Sequence, residues 1–213
     1  MVLLAVSFAN ITGYFHHHIY VTQPNQLGVV EQHFDVVNGD AMAPTQYRPA
    51  PFLIADSIFK LLVMSGVANN SLNLIRTYTF IRLLLMALNY VLLLIFFRTW
   101  FDPVKSVLGL CFFVAVNPLA EYFYFHQPSD PWLLTFFLLG YLAIINIKDL
   151  LLPLVIFIAV PFKETIILLL PGYIAANWKN SSIARISIFS VFSMAGFAMP
   201  WLALRLIYGA RES

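Results

Sequence analysis

Among the groups in this sequence that could move a proton or hold a charge, Asp40 stands in the most constrained setting. It follows Asn38-Gly39, a turn signal; Pro44, Pro49 and Pro51 stiffen what comes after, and a short connection leads to Arg48. A carboxylate fixed on such a turn is the kind of group that acts as general base on a hydroxyl. A cation a few residues away would hold an anionic leaving group. Asp35 is the neighbouring alternative for the base, and the plainer reading of both is a pair of solvated loop acids.

Other charged groups gather in two turns. Residues 117–131 mix Glu121, His126 and Asp130 with a dense aromatic cluster. The aromatics read as a belt at headgroup level, and the three polar groups fit no metal-ligand spacing. Lys163-Glu164 lies between two apolar runs, where an ion pair is either a helix-capping device or functional. His16, His17 and His18 point in different directions on any regular element and make a poor site. Thr79, Arg82 and Asn89 fall on one helical face of a long apolar segment, so that stripe should turn inward, where Arg82 needs an acid or a phosphate.

The elements that must carry these groups are helices in a membrane. The 213 residues are 61% hydrophobic and only 10% charged, with a mean hydropathy of +0.82, too little polar surface to cover a soluble core. The net charge of +2 is small and dispersed, which sets nucleic acid aside as a partner. The lone Cys111 sits in an apolar run and reads as a buried, inert thiol. A crossing needs roughly 20 apolar residues, which residues 74–97 and 186–204 supply. Shorter apolar runs cover 1–15, 104–116, 132–147, 150–160 and 165–178. The expectation is an all-α polytopic transmembrane bundle forming a single domain over 1–213, with about seven membrane-associated helices.

Lys and Arg favour the cytoplasmic side of short loops. Arg98 and Lys105, then Lys148, then Lys179 and Arg185 define three such loops, so the turns at 117–131 and 163–164 fall outside. The long segment from residue 16 falls outside too, as an extracytoplasmic loop over 16–50 followed by a helix over 51–65. Pro51 suits the first turn of that helix, and Asp56, Ser57 and Lys60 form one polar stripe on it, which places it flat at the interface. Residues 150–178 read as a hairpin of two short helices. A single span would put Lys163-Glu164 at mid-membrane and move Lys179 and Arg185 outside. Arg205 and Arg211, after the last span, fall outside and run against the charge rule.

The order of these features resembles the GT-C superfamily of polyprenyl-phosphate-sugar-dependent membrane glycosyltransferases. The likeness rests on the Gly39-Asp40 turn with its Tyr47-Arg48-Pro49, on Pro128-Ser-Asp-Pro131 opening a span, and on Phe162-Lys-Glu-Thr165 between short helices. It implies transfer of a sugar from a lipid phosphate to an acceptor hydroxyl, with or without a divalent cation such as Mg or Mn. It also implies a multi-pass protein of a bacterial inner membrane whose active face lies outside the cytoplasm. Carried onto this chain, Asp40 or Asp35 takes the base role, and Arg48, Lys163 and Arg82 neutralise the departing phosphate. Glu121, His126, Asp130 and Glu164 position the acceptor or the cation. Such enzymes usually have more helices, so the chain reads as a fragment, a reduced member working with a protein partner, or a relative without catalysis. The competing classes are a non-catalytic subunit of a membrane complex and a small transporter, the latter disfavoured by the lack of an internal repeat.

Overall fold

A computed structural model describes the backbone of residues 2–21, 26–123 and 128–209, and the side chains of these except 2, 15–21, 26–27 and 118–123. Among the described residues the fold is entirely helical: α1 (Val2–Val21), α2 (Gln26–Asn38), α3 (Ala50–Met64), α4 (Ser71–Phe97), α5 (Pro103–Phe123), α6 (Asp130–Ile145), α7 (Leu151–Ala159), α8 (Leu169–Asn177) and α9 (Ile183–Tyr208). The helices group into two compact units. One holds residues 1–41 and 51–131, the other 42–50 and 132–213.

Local signals account for the helix ends. Asn70 caps α4 by accepting the Asn73 amide at 2.9 Å, and Ser182 caps α9 by accepting the Arg185 amide at 3.3 Å. Asp102 accepts the Val104 and Lys105 amides at the start of α5, with Pro103 in the first turn, where its missing N–H costs nothing. The Lys105 ammonium, 2.8 Å from this carboxylate, holds it below the usual carboxylate range together with those amides. Among the described residues, only α4 and α9 are long and apolar enough to cross a membrane, matching the two full spans read from the sequence.

The first unit is centred on α4, which packs against α1, α2 and α5. Tyr90 is fully buried there, donating to the Thr12 hydroxyl at 3.2 Å with Phe8 and Phe113 edge-on to its ring. In the second unit α7 lies against α9, and Leu152, Ile156, Ile166, Leu169 and Tyr173 are buried beside them.

Two expectations change. The segment 16–50 is not a continuous loop, because α1 runs on to Val21 and α2 occupies Gln26–Asn38. This second helix is short and mixed, and among its described residues it buries Val30, His33 and Val36 on one face, a pattern too brief to stand out in hydropathy. The expected pair of short helices over 150–178 is present: α7 ends at Ala159, and a 3₁₀ turn over Glu164–Leu168 precedes α8. Cys111 is exposed, on the outward face of an apolar helix, and not buried.

Candidate functional site

The turn at Asn38-Gly39-Asp40 is a helix terminus. Gly39 adopts φ +82°, a left-handed conformation that costs a residue without Cβ nothing. The Asp40 amide donates back to the Asp35 carbonyl at 2.7 Å, and the Gly39 amide to Val36 at 3.2 Å, which is the Schellman closure of α2. Ala41 also donates to Asp35, at 3.0 Å. The backbone of Asp40 is therefore fixed while its side chain is exposed, as is that of Asp35.

The opposite face of α2 carries a group the sequence reading missed. His33 is fully buried, with Nδ1 2.8 Å from the Tyr78 hydroxyl of α4 and Nε2 3.7 Å from Asp56 of α3. Lys60 holds the other Asp56 oxygen at 2.6 Å. The phenol donates to Nδ1 in the tautomer that leaves Nε2–H facing the carboxylate, at a distance beyond hydrogen bonding. Burial lowers the His33 pKa from 6.5 because the imidazolium loses its water, and Lys60 adds to this, against the attraction of Asp56. With the folded pKa depressed, the unfolded chain binds the extra proton, so this contribution to stability is complete above pH 6.5 and fades below it. The gap in melting temperature between the native protein and His33→Gln, measured in detergent, should narrow from pH 7 towards pH 5. A gap that stays constant with pH would rule out His33 as the titrating group.

In the second unit, Arg48 makes a two-pronged ion pair with Glu164, Nε to Oε2 at 2.9 Å and Nη2 to Oε1 at 2.6 Å. Burial opposes the Glu164 charge most strongly, yet the Arg48 hydrogen bonds, a backbone amide and the nearby Lys163 together hold its pKa below the usual 4.5. Tyr47, beside Arg48, donates its hydroxyl to the Gly209 carbonyl at 2.8 Å. The Arg205 guanidinium lies over the Tyr47 ring at 4.9 Å and over Trp201 at 4.4 Å. This cation, one of the two that broke the charge rule, is thus held by two aromatic faces, beside a cavity of about 110 Å³ that Glu164 also lines. Lysine cannot reproduce the fork, so Arg48→Lys should destabilise the protein by about 1–2 kcal/mol, read as a lower melting temperature in detergent. Unchanged melting would show that the second prong contributes nothing.

The expected site residues divide between the units. Asp35, Asp40, Arg82 and Asp130 belong to the first, and Arg48, Lys163 and Glu164 to the second. Arg82 is buried on α4, and Asn89 two turns on is fully buried and donates to the Pro131 carbonyl at 2.9 Å, so the polar stripe does turn inward. Asp130 opens α6 and is exposed. The side chains of Glu121 and of His16 to His18, and the whole of His126 and Arg211, lie outside the described residues. Among the described residues no three His, Cys, Asp or Glu side chains gather to hold a metal ion. No protein-family model, curated protein or solved structure matches this chain. The functional reading therefore rests on its own residues.

Proposed function

We propose that this chain is a multi-pass membrane glycosyltransferase that moves a sugar from a polyprenyl-phosphate donor to an acceptor hydroxyl at the extracytoplasmic face, in a bacterial inner membrane. The observation that carries the reading is Asp40, an exposed carboxylate on a rigid helix cap in a chain that is 61% hydrophobic. The lipid setting is supported by α9, whose most apolar stretch is only 17% buried, where the core helix of a soluble protein would be covered.

In this reading the acceptor oxygen attacks the anomeric carbon, the bond from that carbon to the phosphate oxygen breaks, and the acceptor proton passes to Asp40. Asp35 is the alternative base. The lipid phosphate leaves with its negative charge, which Arg82, a cation of the same unit as Asp40, offsets. Glu121, His126 and Asp130 orient the acceptor. Incubating the purified full chain with a panel of radiolabelled polyprenyl-phosphate sugars tests the proposal: sugar released to an acceptor supports it, and a folded preparation that turns over none of them refutes it.

A second reading, a non-catalytic subunit of a membrane complex, is favoured by one observation. The cation expected to hold the leaving group is already engaged by a carboxylate of its own unit. Under that reading Arg48 and Glu164 serve packing alone, and Asp40 is dispensable.

A further inference from the structure

The turn between α6 and α7 carries a second arrangement of charge, wholly within the second unit. Arg185, in the first turn of α9, brings both Nε and Nη2 to 2.5 Å from a single oxygen of Asp149, Oδ2. The other oxygen, Oδ1, is buried and has no hydrogen-bond partner among the described residues. A buried carboxylate oxygen without a donor is costly, commonly by 1–3 kcal/mol or more, so the position calls for an N–H or O–H from outside the fold. The backbone beside it is strained: Ile147, a β-branched residue, has φ +55°, the left-handed conformation that L residues avoid. Strain of this kind persists only where the surroundings enforce it, and it presents Lys148 and Asp149 side by side.

These residues line an open groove of about 470 Å³, within the range of small-ligand sites. Its walls are apolar and exposed, Leu150 at 75% and Leu151 at 47%, with Phe189 of α9 opposite. Lys148 is exposed at the rim, and the Arg185 side chain is 42% exposed, so it keeps donors to offer beyond its contact with Asp149.

We infer that this groove binds a phospholipid whose head group carries a primary ammonium, of the phosphatidylethanolamine type. Each part of such a lipid meets its complement. The ammonium donates to Asp149 Oδ1, the phosphate accepts from Lys148 and the open edge of Arg185, and the first acyl carbons lie on Leu150, Leu151 and Phe189. A choline head group brings the same charge but no N–H, so it leaves Oδ1 unpaired. A glycerol head group brings hydroxyls but no cation, and leaves the site with a carboxylate facing an anionic lipid. The inference rests on the membrane part of the proposed function and not on the transferase chemistry.

The test uses the purified full chain in detergent, titrated with phosphatidylethanolamine, phosphatidylcholine or phosphatidylglycerol and followed by thermal shift and by native mass spectrometry of retained lipid. Phosphatidylethanolamine should bind roughly tenfold more tightly than phosphatidylcholine, the difference expected from one hydrogen bond to a charged acceptor. Equal binding of the two would overturn the inference, and preference for phosphatidylglycerol would make the groove a plain anion site instead. Asp149→Asn should abolish the discrimination. Because that change also strips Arg185 of its partner, Lys148→Ala is the second variant: it removes one exposed phosphate contact without touching the fold. It should weaken both zwitterionic lipids several-fold, and unchanged binding would count against the assignment. Recovery of the chain in carbonate-washed membranes tests the membrane reading separately.

Discussion

Asp40→Asn is expected to lower sugar transfer by roughly 10²- to 10⁴-fold, the usual contribution of a positioned general base. The substitution is nearly isosteric and removes only the ability to take a proton. The cap that fixes this position is made by the backbone amides of Gly39, Asp40 and Ala41, not by the carboxylate, and the side chain is exposed. Folding and membrane insertion should therefore be unchanged, so the loss should fall on kcat and not on expression. Asp35→Asn is the matched control. It removes a carboxylate of the same helix end while leaving intact the Asp35 carbonyl that closes the cap. Initial rates of sugar release from the lipid donor decide the matter. Undiminished transfer in Asp40→Asn, with loss in Asp35→Asn, would move the base by one helical turn. Undiminished transfer in both would leave Glu121 as the remaining acid for that role.

Apart from Asp130, which opens α6, the acids of the described residues divide into two kinds. Asp56, Asp102, Asp149 and Glu164 each hold a cation. Glu31, Asp35 and Asp40 are exposed along one short helix and its cap. Among the described residues, the paired acids are committed to structure, while the α2 group is exposed to an incoming substrate. That contrast raises Asp40 above Glu164, whose carboxylate is already bridged by Arg48.

The parts of this arrangement that were legible in the sequence were local. A run of some twenty apolar residues announces α4 and α9, and Gly39 announces a chain reversal because few other residues tolerate its backbone conformation. Pairings across the fold were not legible. His33 and Tyr78 stand 45 positions apart, and Arg48 and Glu164 stand 116 apart, so no spacing rule joins them. Proximity in sequence assigned Arg48 to Asp40, whereas Arg48 is committed to Glu164. Asp56 was visible as part of a polar stripe, but not that burial against α2 and α4 would set it beside a histidine. Arg205 was visible as an exception to the charge rule, and the aromatic faces that hold it come from Tyr47 and Trp201, one of them far away in the chain.

Gly196→Leu should destabilise the protein by about 3 kcal/mol, the upper end for overpacking a helix contact. At Gly196 of α9 an added Cβ would sit 2.8 Å from the Pro153 carbonyl oxygen of α7, closer than real Cβ atoms approach, and the obstacle is backbone that cannot swing aside. Small residues at such crossings let two helix backbones meet, and here they join the pair that packs most extensively in its unit. Pro200, four residues on, cannot donate to the Gly196 carbonyl, so α9 is already weakened at the crossing and little able to absorb a shift. The sharper test is Gly196→Ala. In a helix interior, Gly to Ala normally stabilises by up to about 1 kcal/mol through chain entropy. Gly28 of α2, where nothing lies within 4 Å of the added carbon, should show that gain. At Gly196 the sign should reverse, with a lower melting temperature in detergent. If both substitutions raise it, α7 and α9 do not meet as closely as 2.8 Å at this point, and the packing of the second unit is looser than described.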